Sequence, residues 1–390
     1  RKTVGVGELE DGPGDVHGLG SVRHHSALPA AVTAAPSSGI PTMFRRLALV
    51  IVAFSLLAAC VARPLMDSTK PHHTEVGFRN NYPTGWRHGS FWKWQRERWA
   101  KGLPKTPPGG WHFPAEHPDF DWLHANRTEP ALTWIGHATF LVQLGGLNIL
   151  TDPHLTGRAS PVGFAGPRRI VPPAIDFHQM PHIDVVVISH NHYDHLDEGT
   201  VKRLARQPGG SPTFFVPLGL KAWMASKGIH DKVVELDWWE KQSLGTSTFT
   251  AVPVQHWSAR SLWDRNHTLW GGWRVDTPQG SVFFAGDTGY SEDFKDIRRR
   301  LGPVDIALLP IGAYEPRWFM SVMHVNPDEA VKIHADLEAR QSVAMHWGTF
   351  VLTDEPMDEP PRKLAHALRE AGIPHDRFWV MKHGETRKLP

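Results

Sequence analysis

The stretch His190-Asn191-His192-Tyr193-Asp194-His195 constrains this chain more than any other. It follows the apolar run Val185-Val186-Val187-Ile188, which reads as a buried strand. It precedes residues 196–206, where Val201, Leu204 and Ala205 keep a helical rhythm. The cluster therefore belongs on a strand-to-helix loop at the carboxyl end of a strand, where α/β sheets gather their ligands. If the loop starts extended, His190 and His192 point the same way and can share one metal ion. Asp194 and His195 come after the turn has begun and can face a second. Imidazole and carboxylate donors without thiolate suit zinc, with iron or manganese as alternatives. Three histidines and one aspartate within six residues are too dense for ordinary loop histidines, even in a chain with 25 His.

The 390 residues are 41% hydrophobic and 21% charged, a globular composition long enough for one large domain with additions. A formal net charge of +2, with no basic block or RNA-binding motif, gives no reason to expect a nucleic-acid partner. Cys60 is the single cysteine, so neither an intrachain disulfide nor a thiolate zinc site can form.

Residues 1–42 are rich in Gly, Pro, Ala and Ser without periodicity and read as disordered. Met43-Phe44-Arg45-Arg46, the apolar run 47–59 and Cys60 then have the form of a secretory signal peptide. On that reading Met43 is the native start and residues 1–42 are an over-extended gene start. The apolar run is shorter than the ~20 residues that a spanning helix needs. Leu57-Ala58-Ala59-Cys60 further resembles the bacterial lipobox, which implies a lipid-anchored or secreted protein of the bacterial cell envelope. The alternative is a short apolar anchor that is never cleaved. Residues 61–127 form a polar linker and a Trp-rich extension, with Trp86, Trp92, Trp94, Trp99, Trp111 and Trp122 among Arg, Lys and Pro. Those indoles either pack over the main domain or make an interfacial surface at lipid headgroups.

Residues 128–390 carry regular structure. Residues 132–144 alternate as a strand and meet the turn signal Gly145-Gly146. Further strands are predicted at 147–150, 213–216, 233–236, 246–254, 270–275, 281–284, 306–309, 342–345 and 378–381. Helices are predicted at 218–226, 291–301, from Asn326 to about 340, and at 361–371. Asn326-Pro327-Asp328-Glu329 is a strong helix start, with an N-cap Asn, Pro at the first position and acids in the first turn. The elements form two similar halves divided near residue 250, which predicts two sheets face to face with helices outside.

Asp152, His256, Asp287 and His346 each sit just after a predicted strand, like the first cluster. If the strand ends converge, His190, His192 and His256 hold one metal, and Asp194, His195 and His346 hold the other. Asp287 bridges them, since a carboxylate can span ions ~3.5–4 Å apart. Asp152 is expected behind the ligands, accepting a ring N–H and fixing a tautomer. His137 and His334 read as structural.

With His256, Asp287 and His346 following in order, His190-x-His192-x-Asp194-His195 resembles the metallo-β-lactamase superfamily. More narrowly, Leu236-Asp237-Trp238-Trp239-Glu240 and Ile311-Gly312-Ala313-Tyr314-Glu315-Pro316-Arg317-Trp318 resemble the N-acyl-phosphatidylethanolamine-hydrolysing phospholipases D. Metal binding does not require those two segments. The likeness runs from about Leu132 to the C-terminus; before it, only Phe78-Arg79-Asn80 matches. It implies an α/β fold, an αββα sandwich of two mixed β-sheets flanked by helices, and two zinc ions. It implies a phosphodiesterase in which metal-bound hydroxide attacks N-acyl-phosphatidylethanolamine or a related lipid, giving N-acylethanolamine and phosphatidic acid. The partners implied are a phospholipid substrate, a membrane surface and, by analogy, a second copy of the chain. Asp194 and Asp287 are then catalytic as well as ligating. Tyr193, inside the ligand loop, and His324, just before the Asn326 helix start, are the candidates to assist the leaving oxygen. A lactone, lactam or other phosphodiester hydrolase on the same centre is the second reading. A surface-anchored, non-catalytic binding lipoprotein is the third.

Overall fold

A computed structural model of the chain describes residues 66–85 and 89–389. The readings of residues 1–60, Cys60 and the lipobox among them, and of Trp86 lie outside the described residues.

Two seven-stranded mixed sheets form the framework. The first contains β1 (Ala131–Gly136), β2 (Thr139–Leu144), β3 (Leu147–Thr151), β4 (Val185–Val187), β5 (Thr213–Pro217) and β6 (Val233–Leu236) in that order. The second contains β7 (Lys241–Leu244), β8 (Ser247–Val252), β9 (Gly272–Thr277), β10 (Gly280–Phe284), β11 (Ile306–Pro310), β12 (Gln341–Met345) and β13 (Phe378–Trp379), also in order. The last strand, β14 (Thr386–Lys388), returns to the first sheet and pairs antiparallel with β1. Pairing from β3 to β6 and from β10 to β13 is parallel, and the rest is antiparallel. The helices are α1 (Ser90–Lys101), α2 (Phe120–Ala125), α3 (Glu198–Leu204), α4 (Leu220–Ser226), α5 (Asp293–Leu301), α6 (Arg317–Met320), α7 (Pro327–Asp336) and α8 (Glu359–Glu370).

The period of two along each strand decides what packs where. Leu132, Trp134, Phe140, Val142, Val185, Val187 and Phe215 share a core with Phe249, Ala251, Trp273 and Val275 of the second sheet. Their neighbours Ile135, Leu141, Leu150, Val186, Phe214 and Val216 join Leu123 of α2, Val201 and Leu204 of α3, and Leu220 of α4. The first sheet is thus buried on both faces, which is why its strands read as continuous apolar runs. Phe215 stacks on Phe249 across the sandwich at 4.3 Å between ring centres. Each fully buried side chain of this size contributes about 2 kcal/mol. Helices α5, α7 and α8 add Phe294, Val331 and Leu364 to the core of the second sheet.

The αββα expectation holds, with four differences. Residues 132–144 are not one strand but two, turning at His137-Ala138. Strands β7 and β14 were not anticipated; Lys241-Gln242-Ser243-Leu244 and Thr386-Arg387-Lys388 are polar edges with no apolar alternation to read. The sheets exchange at Asp237-Trp238-Trp239-Glu240 rather than near residue 250. There Trp239 adopts a φ of 72° and its N–H donates to the Ala251 carbonyl. The helix after the ligand loop is shorter than 196–206, because Asp197 caps it by accepting from Gly199 N. The start of α7 is as read: Asn326 and Glu329 form a reciprocal capping box with Pro327 in the first turn.

In the Trp-rich segment some indoles are buried and others exposed. Trp94 is buried, stacks on Phe319 at 5.1 Å and donates to Asp354. Trp92 and Trp99 of the same helix α1 are 74% and 88% exposed. None of the described helices is long and apolar enough to cross a membrane.

Candidate metal centre

The parallel arrangement places several strand ends at one edge of the sandwich. Asp152 follows β3, the His190–His195 loop follows β4, Asp287 follows β10 and His346 follows β12. His256 arrives from beyond β8. Close approach needs small residues: a Cβ on Gly312 would lie 2.2 Å from the His346 carbonyl oxygen, and one on Gly286 would lie 2.4 Å from Ser189 Cβ. His137, Asp152 and His346 all have positive φ, of 56°, 30° and 62°. Backbone strain of this kind gathers at sites the surroundings hold tightly.

Two sets of donor atoms result. His190 Nε2 lies 2.8 Å from His192 Nδ1, and His256 Nε2 lies 3.2 Å from the same atom. In the second set His195 Nε2 and His346 Nε2 are 3.1 Å apart, and each is 3.4 Å from Asp194 Oδ2. Asp287 stands between the sets. Its carboxylate is 3.0 Å from His195 Nε2 through Oδ2 and 3.0 Å from His346 Nε2 through Oδ1. Its Oδ2 is 3.9 Å from His190 and 4.0 Å from His256. Two donors on one tetrahedral zinc, bonded at about 2.05 Å, stand about 3.3 Å apart. The observed separations cluster around that edge, and Asp287 Oδ1 is buried without a hydrogen-bond donor.

The far sides of the rings fix which nitrogen faces inward. Asp152 accepts from Ser189 N at 2.7 Å, from Ser189 Oγ at 2.5 Å and from His195 Nδ1 at 2.7 Å. A carboxylate only accepts, so Ser189 Oγ spends its proton on Asp152 and accepts from His190 Nδ1 at 2.8 Å. His256 Nδ1 donates to the Met323 carbonyl at 2.8 Å. His190, His195 and His256 therefore all turn Nε2 to the centre, as ligand histidines must. Asp152 lies behind the His195 ring, on its Nδ1 side. Burial pushes its carboxyl up, and the bonds from His195 and Ser189 pull it back.

Charge separates the two sets. Burial lowers His190 and His256 well below the usual imidazole range and takes His192 to about 4, so these rings are neutral donors. Burial also works against protonated His195 and His346, yet Asp287 and Asp194 overcome it. His195 is held well above its usual value and His346 is raised to about 9. Buried carboxylates in this number call for positive charge, which fits an all-N/O site for divalent cations.

Two expectations change. His137, read as structural, points Nε2 at Asp194 Oδ2 from 3.1 Å and belongs to the centre. Tyr193 does not face it: its hydroxyl donates to the Arg260 carbonyl at 2.7 Å, and the Arg260 guanidinium lies 4.0 Å over its ring. The tyrosine packs the ligand loop and is withdrawn as a proton donor. His324 is at the centre, with Nδ1 buried, unpartnered and 3.8 Å from Asp287 Oδ2. Burial brings it down to about 4. Arg317 ties its carbonyl to Glu329 of the α7 cap, bonding the two at 2.9 and 2.6 Å. His334 is structural, bonded to Ser342 Oγ at 2.8 Å.

A two-sheet sandwich with histidines and aspartates converging at its strand ends defines a class of metal-dependent hydrolases, and the comparisons with known proteins agree. Residues 147–347 match the family described as the beta-lactamase superfamily domain. Over 246 residues the chain is 47% identical to the N-acyl-phosphatidylethanolamine-hydrolyzing phospholipase D 1 of Caenorhabditis elegans, covering 60% of this chain and 69% of that protein. It is 40% identical over 269 residues to the mitochondrial N-acyl-phosphatidylethanolamine-hydrolyzing phospholipase D of Saccharomyces cerevisiae, covering 65% of this chain and 55% of that protein. Among solved structures, a metallo hydrolase from the archaeon Ignicoccus hospitalis superposes with a TM-score of 0.51 at 23% identity, over 67% of this chain and 99% of that one, a likeness of fold. The chain belongs to the metallo-β-lactamase superfamily.

Proposed function

We propose that the chain is a dinuclear zinc phosphodiesterase acting on N-acyl-phosphatidylethanolamine or a related lipid, releasing N-acylethanolamine and phosphatidic acid. The observation that carries the reading is the pair of donor sets meeting on Asp287, taken with the 47% identity to a phospholipase D of that specificity. Two zinc ions there would supply an acidified water near neutral pH and would neutralise phosphate oxygens. His190, His192 and His256 would hold one ion and Asp194, His195 and His346 the other, with Asp287 between the two sets. His137 Nε2 shares the Asp194 oxygen that faces His195 and His346, and would join that ion's surroundings. His324 meets the substrate as a neutral imidazole and hydrogen-bonds the departing oxygen or a phosphate oxygen.

A lipid-facing site is supported by what lies beside it. His192 packs edge-on against Trp257 at 4.3 Å, and Trp257 joins the cluster of Trp94, Phe319, Met320 and Met323 under helix α1. The exposed Trp92 and Trp99 stand on that helix. Indoles near cationic side chains suit a headgroup interface. On this reading the chain works at the membrane surface of the bacterial cell envelope, as the signal-like residues 43–60 also suggest.

The test is cleavage of N-acyl-phosphatidylethanolamine in phospholipid vesicles by purified protein whose metal is counted. The expected result is two zinc per chain and release of N-acylethanolamine. Two zinc without release, together with turnover of lactones, lactams or soluble phosphodiesters, would overturn the substrate and favour the second reading.

A further inference from the structure

The ligand His256 differs from the others in how its backbone is held. It lies beyond the end of β8, and a side chain from far away brackets it. Asn80 Nδ2 donates to the His256 carbonyl at 2.9 Å, and His256 N–H donates to Asn80 Oδ1 at 3.0 Å. Both backbone groups of one residue thus pair with one amide, and the partners fix which way the amide faces. Trp270 Nε1 donates to the same Oδ1 at 3.1 Å. The ring is held separately by Met323, so backbone and imidazole are both fixed.

Asn80 is itself fixed from both sides. Before it, Lys70 Nζ, His72 Nε2 and His73 Nε2 surround the Asp237 carboxylate at 2.6, 2.7 and 2.9 Å. The lysine amine already supplies a positive charge to that carboxylate, which makes the group a clamp rather than a cation site. Phe78 enters the main core, and its N–H donates to the Asn266 carbonyl at 2.9 Å. A Cβ on Gly77 would lie 2.2 Å from that same oxygen, so the segment runs closely along the domain. After it, Asn81 donates to Asp293 Oδ1 at 2.8 Å and Tyr82 donates to Asp296 Oδ2 at 2.7 Å.

We propose that Asn80 is a positioning residue of the metal centre, through which the segment 66–85 holds His256 in place and controls retention of the ion bound by His190, His192 and His256. The inference rests on the two-ion reading of the centre. Its logic is that of outer partners of ligands, whose loss costs 10–100-fold in metal affinity. Because His256 serves one donor set only, the effect is confined to one ion.

The experiment is a chelator challenge of the zinc-loaded full chain, with the visible spectrum of the cobalt-substituted protein as a second readout. In Asn80→Ala one of two ions leaves at least tenfold faster, the other leaves at the wild-type rate, and the cobalt bands of one site shift. Val76→Ala, at an exposed position of the same segment, leaves both rates unchanged. Asn80→Asp keeps the acceptor for His256 N–H and Trp270 but sets a second oxygen against the His256 carbonyl, so it moves the same ion in the same direction. This variant decides the matter if Asn80→Ala does not fold. Wild-type release rates and spectra in the folded variants would overturn the inference while leaving the centre intact. Equal acceleration of both ions would overturn it in favour of a general loosening. A wild-type chain that takes up no metal would overturn the centre and the inference together.

Discussion

Asp152→Asn isolates tautomer control from ligand chemistry, because Asp152 accepts three hydrogen bonds and touches the ligands only from behind. One oxygen takes Ser189 N–H; the other takes Ser189 Oγ and His195 Nδ1. An amide replaces one acceptor by an NH2. If the NH2 faced Ser189 N–H, a backbone donor that cannot turn would be buried without a partner, costing about 1–3 kcal/mol. The other orientation keeps the acceptor for that N–H. The Ser189 hydroxyl rotates to accept, and His195 moves its proton from Nδ1 to Nε2 so that Nδ1 can accept. The second orientation therefore wins, and it places a proton on the nitrogen that must bind metal.

The structure thus predicts that Asp152→Asn keeps the fold and loses metal from the side of the centre holding Asp194, His195 and His346. The expected loss in affinity is about 10–100-fold, equivalent to about 1.4–2.8 kcal/mol. Stability of the metal-free chain falls by about 1–3 kcal/mol, since the Ser189 hydroxyl proton that Asp152 accepted is left without an acceptor. Competition with a chelator of known affinity measures the first quantity, and a urea midpoint in excess chelator measures the second. Metal affinity within twofold of wild type would refute the tautomer argument. The same fall with affinity unchanged would show that the amide takes the other orientation.

Two further predictions test the centre and the clamp. His324→Ala should lower turnover by about 100-fold while zinc content stays at the wild-type level; an unchanged rate on the cleaved lipid would leave His324 only its contact with Asp287. The second concerns acid. Burial opposes ionisation of Asp237, but His72 and Lys70 outweigh it and hold the carboxyl well below its usual value. Its folded pKa lies below the unfolded one, so its contribution is full above about pH 3.9 and is lost as pH falls toward the folded value. Lys70→Met removes one of the cations, so cleavage within residues 66–85 by an acid protease should begin at a higher pH than in wild type. Identical onset would show that the lysine adds nothing to the clamp.

The seven candidate ligands were legible because each carries its own chemistry and follows an apolar strand. The fold class followed from the same strands. The overlooked parts lack such marks. His137 reaches the centre from a tight turn inside residues 132–144, but the pairing Trp134↔Phe140 joins residues of equal parity. The alternation Leu132, Trp134, Ala138, Phe140 therefore keeps its parity across the turn although the pairing shifts by one at Gly136, and only Gly136-His137 signals the break. Tyr193 erred in the opposite direction: its place in the loop was legible, but the carbonyl that takes its proton belongs to Arg260, far along the chain.

Asn80 and Ser189 show where sequence reading stops for a centre of this kind. Neither side chain binds metal, and neither lies at a spacing that periodicity can detect. Their effect passes through backbone groups and ring nitrogens: the two peptide groups of His256 for one, and Nδ1 of His190 for the other. Which residues donate to a metal is a matter of side-chain type and can be read along a strand. Which nitrogen donates is decided by carbonyls, hydroxyls and amides that the fold brings from elsewhere. A substitution at Asn80 or Asp152 should thus leave the ligand motif intact in sequence and still unload the centre, each from its own side.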